Sequence, residues 1–469
     1  MDTTSTLAAE RLRTDPRVIQ AKELLLAALQ EAQSAIDGVK APKECLREQY
    51  ADLLQRLSNA RGGATYFPYL SSGLGRGPWV ELADGSVKLD FISGIGVHGL
   101  GHSDPRMMVA VIDSSLEDTV MQGNLQQHPA SLEISERIIR LAQSNGAALE
   151  HCLLTTSGAM ANENALKIAF HNRAPADRVL ALDNCFAGRS IAMAQLTDRP
   201  QYRSGLPTVL AVDYLPSEDV EHSAESHQRA LRALDIHLAR HPGKHAALWL
   251  ELVSGEGGYY PGSADFFSKL IRRAKLDNIL IVVDEVQTFG RLSCPFAFQH
   301  LGLDNYVDIV TIGKITQLCA TLYRGSLRPK GPLLSQTFTA ASSAIAAALT
   351  TLDVIDHSDC FGPRGQNMQR FEYFQDKLRT LSGKYPDKVN GPYGEGMMIA
   401  FTPGDGSSDH ANRLVHALFD AGLMSFVAGA NPARIRFLPP PAVTTYEHID
   451  EAISILESVV EREFGNLSK

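Results

Sequence analysis

Between about residues 115 and 345 one pattern repeats: a short run of consecutive apolar residues, then a longer stretch with helical spacing. The runs fall at 152–155 (CLLT), 179–182 (VLAL), 246–250 (AALWL), 279–283 (ILIVV) and 309–312 (IVTI). A strand apolar at every position has to be covered on both faces, so strands of this kind separated by helices predict an α/β fold with a mostly parallel sheet. Open sheets of that type bind ligands beyond the carboxyl ends of their strands. The residues that follow each run are therefore the ones to examine for chemistry.

The flanking regions read differently. Residues 1–62 predict a helical extension: Asp15-Pro16 starts a helix, Leu25, Leu29, Ala32 and Ile36 share a face, and Gly38 stops it. A second helix is expected from 42 to about 57, closed by Gly62-Gly63. Residues 79–82 and 87–90 predict a hairpin around Asp84-Gly85. After 345 the pattern predicts a long helical stretch, a strand at 397–401, a helix over 408–421, a segment at 434–438 and a helix over 446–463. The expected organisation is an extension (1–62), a large domain (116–345), and a smaller α/β domain built from both chain ends (63–115 and 346–469).

Composition excludes some roles. A formal net charge of -9 over 469 residues argues against nucleic acid as a partner, because phosphate backbones reward basic surfaces. The six cysteines show no CxxC or CxH spacing and read as small buried side chains in a reducing compartment, with neither disulfide nor metal expected. A polar, charged N-terminus and the lack of any apolar run near the roughly 20 residues that span a bilayer predict a cytoplasmic protein with no membrane partner.

Polar residues converge after the apolar runs. Thr156-Ser157-Gly158-Ala159 follows the first and opens a helix over about 160–171, an arrangement that offers free backbone N–H groups to a phosphate. A Ser at that position is equally a plain helix cap. Residues 251–256 follow the third run. Asp284 and Glu285 follow the fourth, as part of this convergence or as a solvated loop start. Gly313-Lys314 follows the last.

The strings LLTTSGAMANENALKIAF, CFAGRS, ELVSGEGG, VVDEVQTFGR, DIVTIGKITQLC and RIRFLPP, in that order, resemble the motifs of class III aminotransferases, which are fold-type I pyridoxal-phosphate enzymes. The likeness covers about residues 65–465, and GKITQLC is most similar to lysine 6-aminotransferases. It implies a large domain with a seven-stranded, mostly parallel sheet, pyridoxal 5'-phosphate as cofactor, and a homodimer with shared active sites. The implied reaction moves the terminal amino group of an ω-amino acid, of lysine, ornithine or acetylornithine type, to 2-oxoglutarate. Glutamate and a semialdehyde result, by a ping-pong route.

The resemblance also implies roles. Lys314 is the Schiff-base lysine and proton shuttle, which requires a pKa several units below about 10.4, as burial can provide. Asp284 faces the cofactor's ring nitrogen and keeps it protonated. Gln287 bonds the phenolic oxygen, Val286 and Phe186 lie on opposite ring faces, and Ser157, Gly158 and Ala159 hold the phosphate. Thr337 reaches the phosphate of the neighbouring subunit. Arg189 grips the substrate carboxylate with its planar fork. Glu256 and Arg436 form a switch, paired when an ω-amino donor is bound and parted when 2-oxoglutarate needs Arg436. A surface salt bridge is the alternative for Arg436, and Arg434 lies two residues away.

Four places depart from the family pattern: Ala187 where histidine is usual, Leu252 where proline is common, and the segments Phe338-Thr339-Ala340-Ala341 and Cys319-Ala320-Thr321 where glycines stand. An aminomutase, racemase or decarboxylase on the same fold, a 4-aminobutyrate-type aminotransferase, and a binding protein without turnover are the competing readings.

Overall fold

Seven strands form the central sheet of the computed structural model, which describes residues 7–118 and 121–465. Residues 1–6 of the expected extension, 119–120, and 466–469 of the expected C-terminal segment lie outside the described residues. In spatial order the strands are His151–Thr155, Cys319–Tyr323, Ile309–Ile312, Leu280–Asp284, His245–Leu250, Arg178–Leu182 and Ala211–Leu215. All pair in parallel except Cys319–Tyr323, which runs antiparallel to both neighbours.

The unbroken apolar runs have a direct structural cause. Ile281 and Val283 enter one packed layer, with Leu248, Leu250, Val310 and Ile312. Leu280 and Val282 enter the opposite layer, with Ala165, Ile168 and Ala169 of the helix Gly158–Arg173. Alternate side chains of one strand thus feed two separate cores.

Two strands go beyond those expected. Ala211–Leu215 is an edge strand interrupted by Asp213, whose carboxylate is taken up by Arg178 and His245 at 2.7 Å each. Cys319–Tyr323 is the return arm of a hairpin. The chain leaves Ile312, turns through Lys314 (φ 58) and Gln317 (φ 61), and comes back beside the strand it has just left. The Cys319-Ala320-Thr321 segment is therefore strand, not a flexible glycine turn.

Opposite chain ends share a smaller sheet. Ser71–Arg76, Trp79–Leu82 and Val87–Asp90 pair in antiparallel fashion, and Leu423–Met424 joins Val87–Asp90 in parallel. A second antiparallel sheet orders Val389–Glu395, Met398–Pro403, Arg434–Phe437 and Phe426–Ala428. It delivers Arg436 to the site described below.

Helices Ala8–Arg13, Pro16–Gln33 and Arg47–Arg61 make up the N-terminal extension. Asp15 caps the second, accepting the Arg17 N–H at 2.9 Å. Within one chain, Leu25 and Ala32 of the expected face are exposed, and the line docked on the body is Leu26, Leu29, Gln33 and Ile36. Polar anchoring explains the shift. Gln33 Nε2 donates to the carbonyls of Gly75 (2.7 Å) and Ser103 (2.9 Å), and Lys22 pairs with Asp113 at 2.8 Å. The third helix starts at Arg47 after a single turn over Glu44–Leu46, later than the proline at 42 suggests.

Candidate active site

Asp284 is the last residue of its strand and is buried, not part of a solvated loop. It accepts the Val286 N–H at 2.9 Å and Asn162 Nδ2 at 2.7 Å. Burial pushes its pKa up to about 6, with those hydrogen bonds and the Lys314 charge working against the rise. The group is therefore ionised at neutral pH. Asn162 is held in turn: its Nδ2 also donates to the Ala187 carbonyl, and its Oδ1 accepts Thr311 Oγ1, both at 2.7 Å. This Thr311–Asn162–Asp284 chain escaped the sequence reading, because an Asn inside a helix carries no signal of its own.

Glu285 points the other way. It accepts the N–H groups of Ala297 (3.0 Å) and Phe298 (2.9 Å) and the Thr288 hydroxyl. Burial raises its pKa to about 7. Of two adjacent acids, one faces the cavity and the other organises the fold behind it.

Lys314 follows Ile309–Ile312, the strand beside that of Asp284. Its left-handed backbone is costly for a side-chain-bearing residue and is kept where the surroundings over-determine it. Nζ donates to the Ile95 carbonyl at 3.1 Å. Burial, then the Arg436 charge, pull its pKa down to about 8, with Glu256 and Asp284 opposing.

Lys314 and Asp284 line one cavity with Gly158, Ala159, Phe186, Val286, Gln287 and Glu256. Ser157 caps the helix Gly158–Arg173, accepting the Met160 N–H at 3.2 Å, so the serine is a helix cap and the turn after it borders the cavity. A Cβ on Gly158 would stand 3.0 Å from Val286 Cγ1, so any larger residue there would have to push that side chain aside. The Phe186 N–H donates to Glu251 Oε1 at 2.7 Å, and the Gly255 N–H to Glu251 Oε2 at 2.8 Å. Glu251 therefore fixes both the Phe186 turn and the loop carrying Glu256. Burial and the nearby Asp284 charge raise its pKa to about 8, only partly offset by the two N–H donors.

Arg436 is fully buried, which removes the surface salt bridge as an alternative. Nη2 meets Glu256 Oε1 at 2.5 Å, and Nη1 lies 3.4 Å from Gln287 Oε1. Burial alone would raise the Glu256 carboxyl, but the charge and hydrogen bond of Arg436, together with the Lys314 and Arg189 charges, hold the group below its ordinary range. Arg434 occupies a different niche. Its guanidinium is sandwiched between Tyr260 (3.8 Å) and Tyr393 (3.6 Å) and donates to the Gly258 carbonyl at 2.7 Å. Arg436, two residues on, is the one that reaches Glu256.

The cavity opens outward into a space of about 730 Å³ that Phe186, Glu256 and Lys314 share with Arg189, Tyr202 and Tyr66. Arg189 is exposed at its rim, with its guanidinium 3.6 Å from the Tyr202 ring centre. Thr337 does not join this cavity within one chain. It is exposed beside the short ribbon Met121–Gln122/Ala340–Ala341, and its carbonyl backs onto Gly123. Phe338, in place of a family glycine, is 57% exposed.

A buried carboxylate, a buried amine of lowered pKa, and a glycine-containing helix N-terminus around one cavity fit pyridoxal phosphate, whose ring nitrogen, aldehyde and phosphate need those three groups respectively. Among the described residues no group of His, Cys, Asp and Glu could hold a metal ion. No described helix is long and apolar enough to cross a membrane.

Relatives agree with the chemistry. Residues 65–460 match the family Aminotransferase class-III. The acetylornithine aminotransferase of Gloeobacter violaceus is 30% identical over 405 residues, covering 83% of this chain and 92% of its own. That of Methanocaldococcus jannaschii is 27% identical over 400 residues, covering 82% and 92%. Among solved structures, a lysine aminotransferase from M. tuberculosis superposes with a TM-score of 0.76 at 24% identity, over 87% of this chain and 98% of that one. A Bacillus anthracis aminotransferase does so with a TM-score of 0.79 at 20% identity, over 90% and 100%. Both structural likenesses speak to the fold. The chain belongs to the class III aminotransferases, the pyridoxal-phosphate-dependent transaminases whose motifs its strand ends carry.

Proposed function

We propose that the enzyme moves the terminal amino group of an ω-amino acid, of lysine, ornithine or acetylornithine type, to 2-oxoglutarate. The observation that carries this reading is the pairing of half-buried Glu256 with fully buried Arg436 beside Lys314, with Arg189 lining the same outer cavity. Two guanidinium groups and one carboxylate between them suit two alternating substrates. With Glu256 on Arg436, and Arg199 engaged by Asn184 and the Glu256 carbonyl, the cavity offers Arg189 as its exposed carboxylate-binding group, as an ω-amino acid requires. With Glu256 turned aside, it offers two, as a diacid requires.

When bound, the cofactor supplies an aldehyde for amine capture and a ring that draws electrons from the substrate carbon. Lys314 anchors it, and the Lys314 amine takes the proton from the donor's terminal carbon; burial makes that amine a usable base near neutral pH. Asp284, ionised and oriented by Asn162, faces the ring nitrogen and holds its proton. Gln287, Val286 and Phe186 position the ring, and Ser157, Gly158 and Ala159 receive the phosphate. Thr337 of a second copy completes the phosphate site in a homodimer. The exposure of Leu125 (97%) and Phe338 beside its ribbon supports a covered face there. A cytoplasmic location belongs to the same reading.

A donor panel with 2-oxoglutarate, scoring glutamate, tests this. Turnover with lysine, ornithine or acetylornithine but not with 4-aminobutyrate supports it. Turnover with 4-aminobutyrate alone favours that donor type, and consumption of a donor without glutamate favours a mutase, racemase or decarboxylase.

A further inference from the structure

Tyr202 belongs to none of the motifs above, yet it touches two elements of the site at once. Its ring lies under the Arg189 guanidinium at 3.6 Å and stands perpendicular to the Phe186 ring at 6.3 Å. All three side chains line the outer cavity with Glu256 and Lys314. We infer that Tyr202 is a specificity-determining residue: it holds the Arg189 guanidinium by its face, so that the N–H edge is presented ready-made to a substrate carboxylate. The inference rests on the reading of Arg189 as the carboxylate-binding group.

The argument is geometric. A guanidinium carries its N–H donors in its plane, so stacking on the ring occupies the face and leaves the fork free for a bidentate carboxylate. Arg189 sits on an exposed rim, and no carboxylate pairs with it among the described residues. Without the ring, its long side chain would have to be ordered by each substrate in turn, and that lost rotamer freedom weakens binding.

Tyr202 is itself fixed. It closes the turn Pro200–Tyr202, donating its N–H to the Arg199 carbonyl at 3.0 Å. Arg199 bonds Asn184 Oδ1 (2.9 Å) and the Glu256 carbonyl (3.3 Å), and Arg203 bonds the Thr197 carbonyl (2.7 Å). The turn bearing Tyr202 is thereby joined to the loop bearing Glu256, and the two ends of the carboxylate-binding wall are held in register.

The test uses holoenzyme carrying Tyr202→Ala, Tyr202→Phe or Arg189→Ala. Two readouts are needed: calorimetric affinity for pentanoate, a lone carboxylate, and amine-transfer kinetics with the matched donors 5-aminopentanoate and 1-aminopentane. Tyr202→Ala should weaken pentanoate and raise KM for 5-aminopentanoate about three- to ten-fold, the span of a cation–π contact at a partly exposed site. Its kcat, and the KM for 1-aminopentane at saturating 2-oxoglutarate, should stay within about two-fold, and Tyr202→Phe should behave as the parent, since the ring face does the work. Equal losses with both donors, or a Phe variant as impaired as Ala, would overturn the proposal. If Arg189→Ala weakens pentanoate and Tyr202→Ala does not, the Tyr202 proposal alone falls. If Arg189→Ala leaves pentanoate unchanged, the carboxylate assignment of Arg189 falls and takes this proposal with it.

Discussion

Asp284 and Lys314 stand at the ends of neighbouring strands, Leu280–Asp284 and Ile309–Ile312, and are held by the sheet itself. Glu256, Arg189 and Tyr202 ride on loops and are held by one another. The inner wall has buried charges with backbone and Asn162 support, so its geometry costs nothing to maintain at each turnover. The outer wall has a guanidinium stacked on a ring with its N–H edge left open, and a carboxylate on a guanidinium, a contact that in the proposed reading gives way to a substrate carboxylate. Chemistry common to a family suits the first kind of wall. Discrimination between substrates suits the second.

If the inner wall is electrostatic in purpose, removing charge while keeping shape should be its most damaging change. Asp284→Asn should lower kcat on the order of 10²–10³-fold, as loss of one preorganised electrostatic group does, with thermal stability little altered. Asn162→Ala, which leaves the carboxylate in place but loosens it, should cost about ten-fold, the worth of one hydrogen bond to a charged group. Near-normal turnover of the Asp284 variant in single-turnover kinetics would break the contrast between the walls.

On the outer wall the two members of the ion pair should respond in opposite directions. Arg436→Ala leaves the half-buried Glu256 carboxylate without its partner and should destabilise the fold by about 1–3 kcal/mol in denaturant titrations, besides raising KM for 2-oxoglutarate. Glu256→Gln frees the guanidinium and should lower that KM about ten-fold while discrimination against diacids in the donor half-reaction is lost. Equal, parallel losses from both substitutions would mean that the pair is a strut rather than a switch.

Titration sharpens the comparison further. Only the neutral Lys314 amine can attack the cofactor aldehyde, so capture of added pyridoxal phosphate by cofactor-free protein should quicken as pH rises and level off near about 8. An ordinary lysine would keep quickening toward about 10.4. Stopped-flow absorbance against pH separates the two.

Much of the inner wall was legible because it follows from chain order: apolar runs become strands, and the residue after each run reaches the ligand edge. Lys314 and Asp284 could be nominated from that rule before any relative was considered. The outer wall was harder to read. Tyr202 is a turn residue with no periodicity, and its partner lies 13 positions away across a helix and a bend. Arg434 and Arg436 share a strand face and differ only in what loop folds over them, so register could not be settled without tertiary contacts. The antiparallel strand Cys319–Tyr323 was missed for a related reason, since the turn before it uses left-handed Lys314 and Gln317 and not glycine. In the extension, the choice of Gln33 over Ala32 as the docking position depends on carbonyls at Gly75 and Ser103, more than 40 residues away.

The central claim is that one amine, at the end of one strand, takes the cofactor. Reducing the pyridoxal-phosphate-loaded protein with borohydride and mapping the added mass by peptide sequencing tests it most directly. The account predicts a single modified residue, Lys314, with loading abolished in Lys314→Ala. A modification on any other lysine, or a Lys314→Ala protein that still loads and turns over, would contradict it.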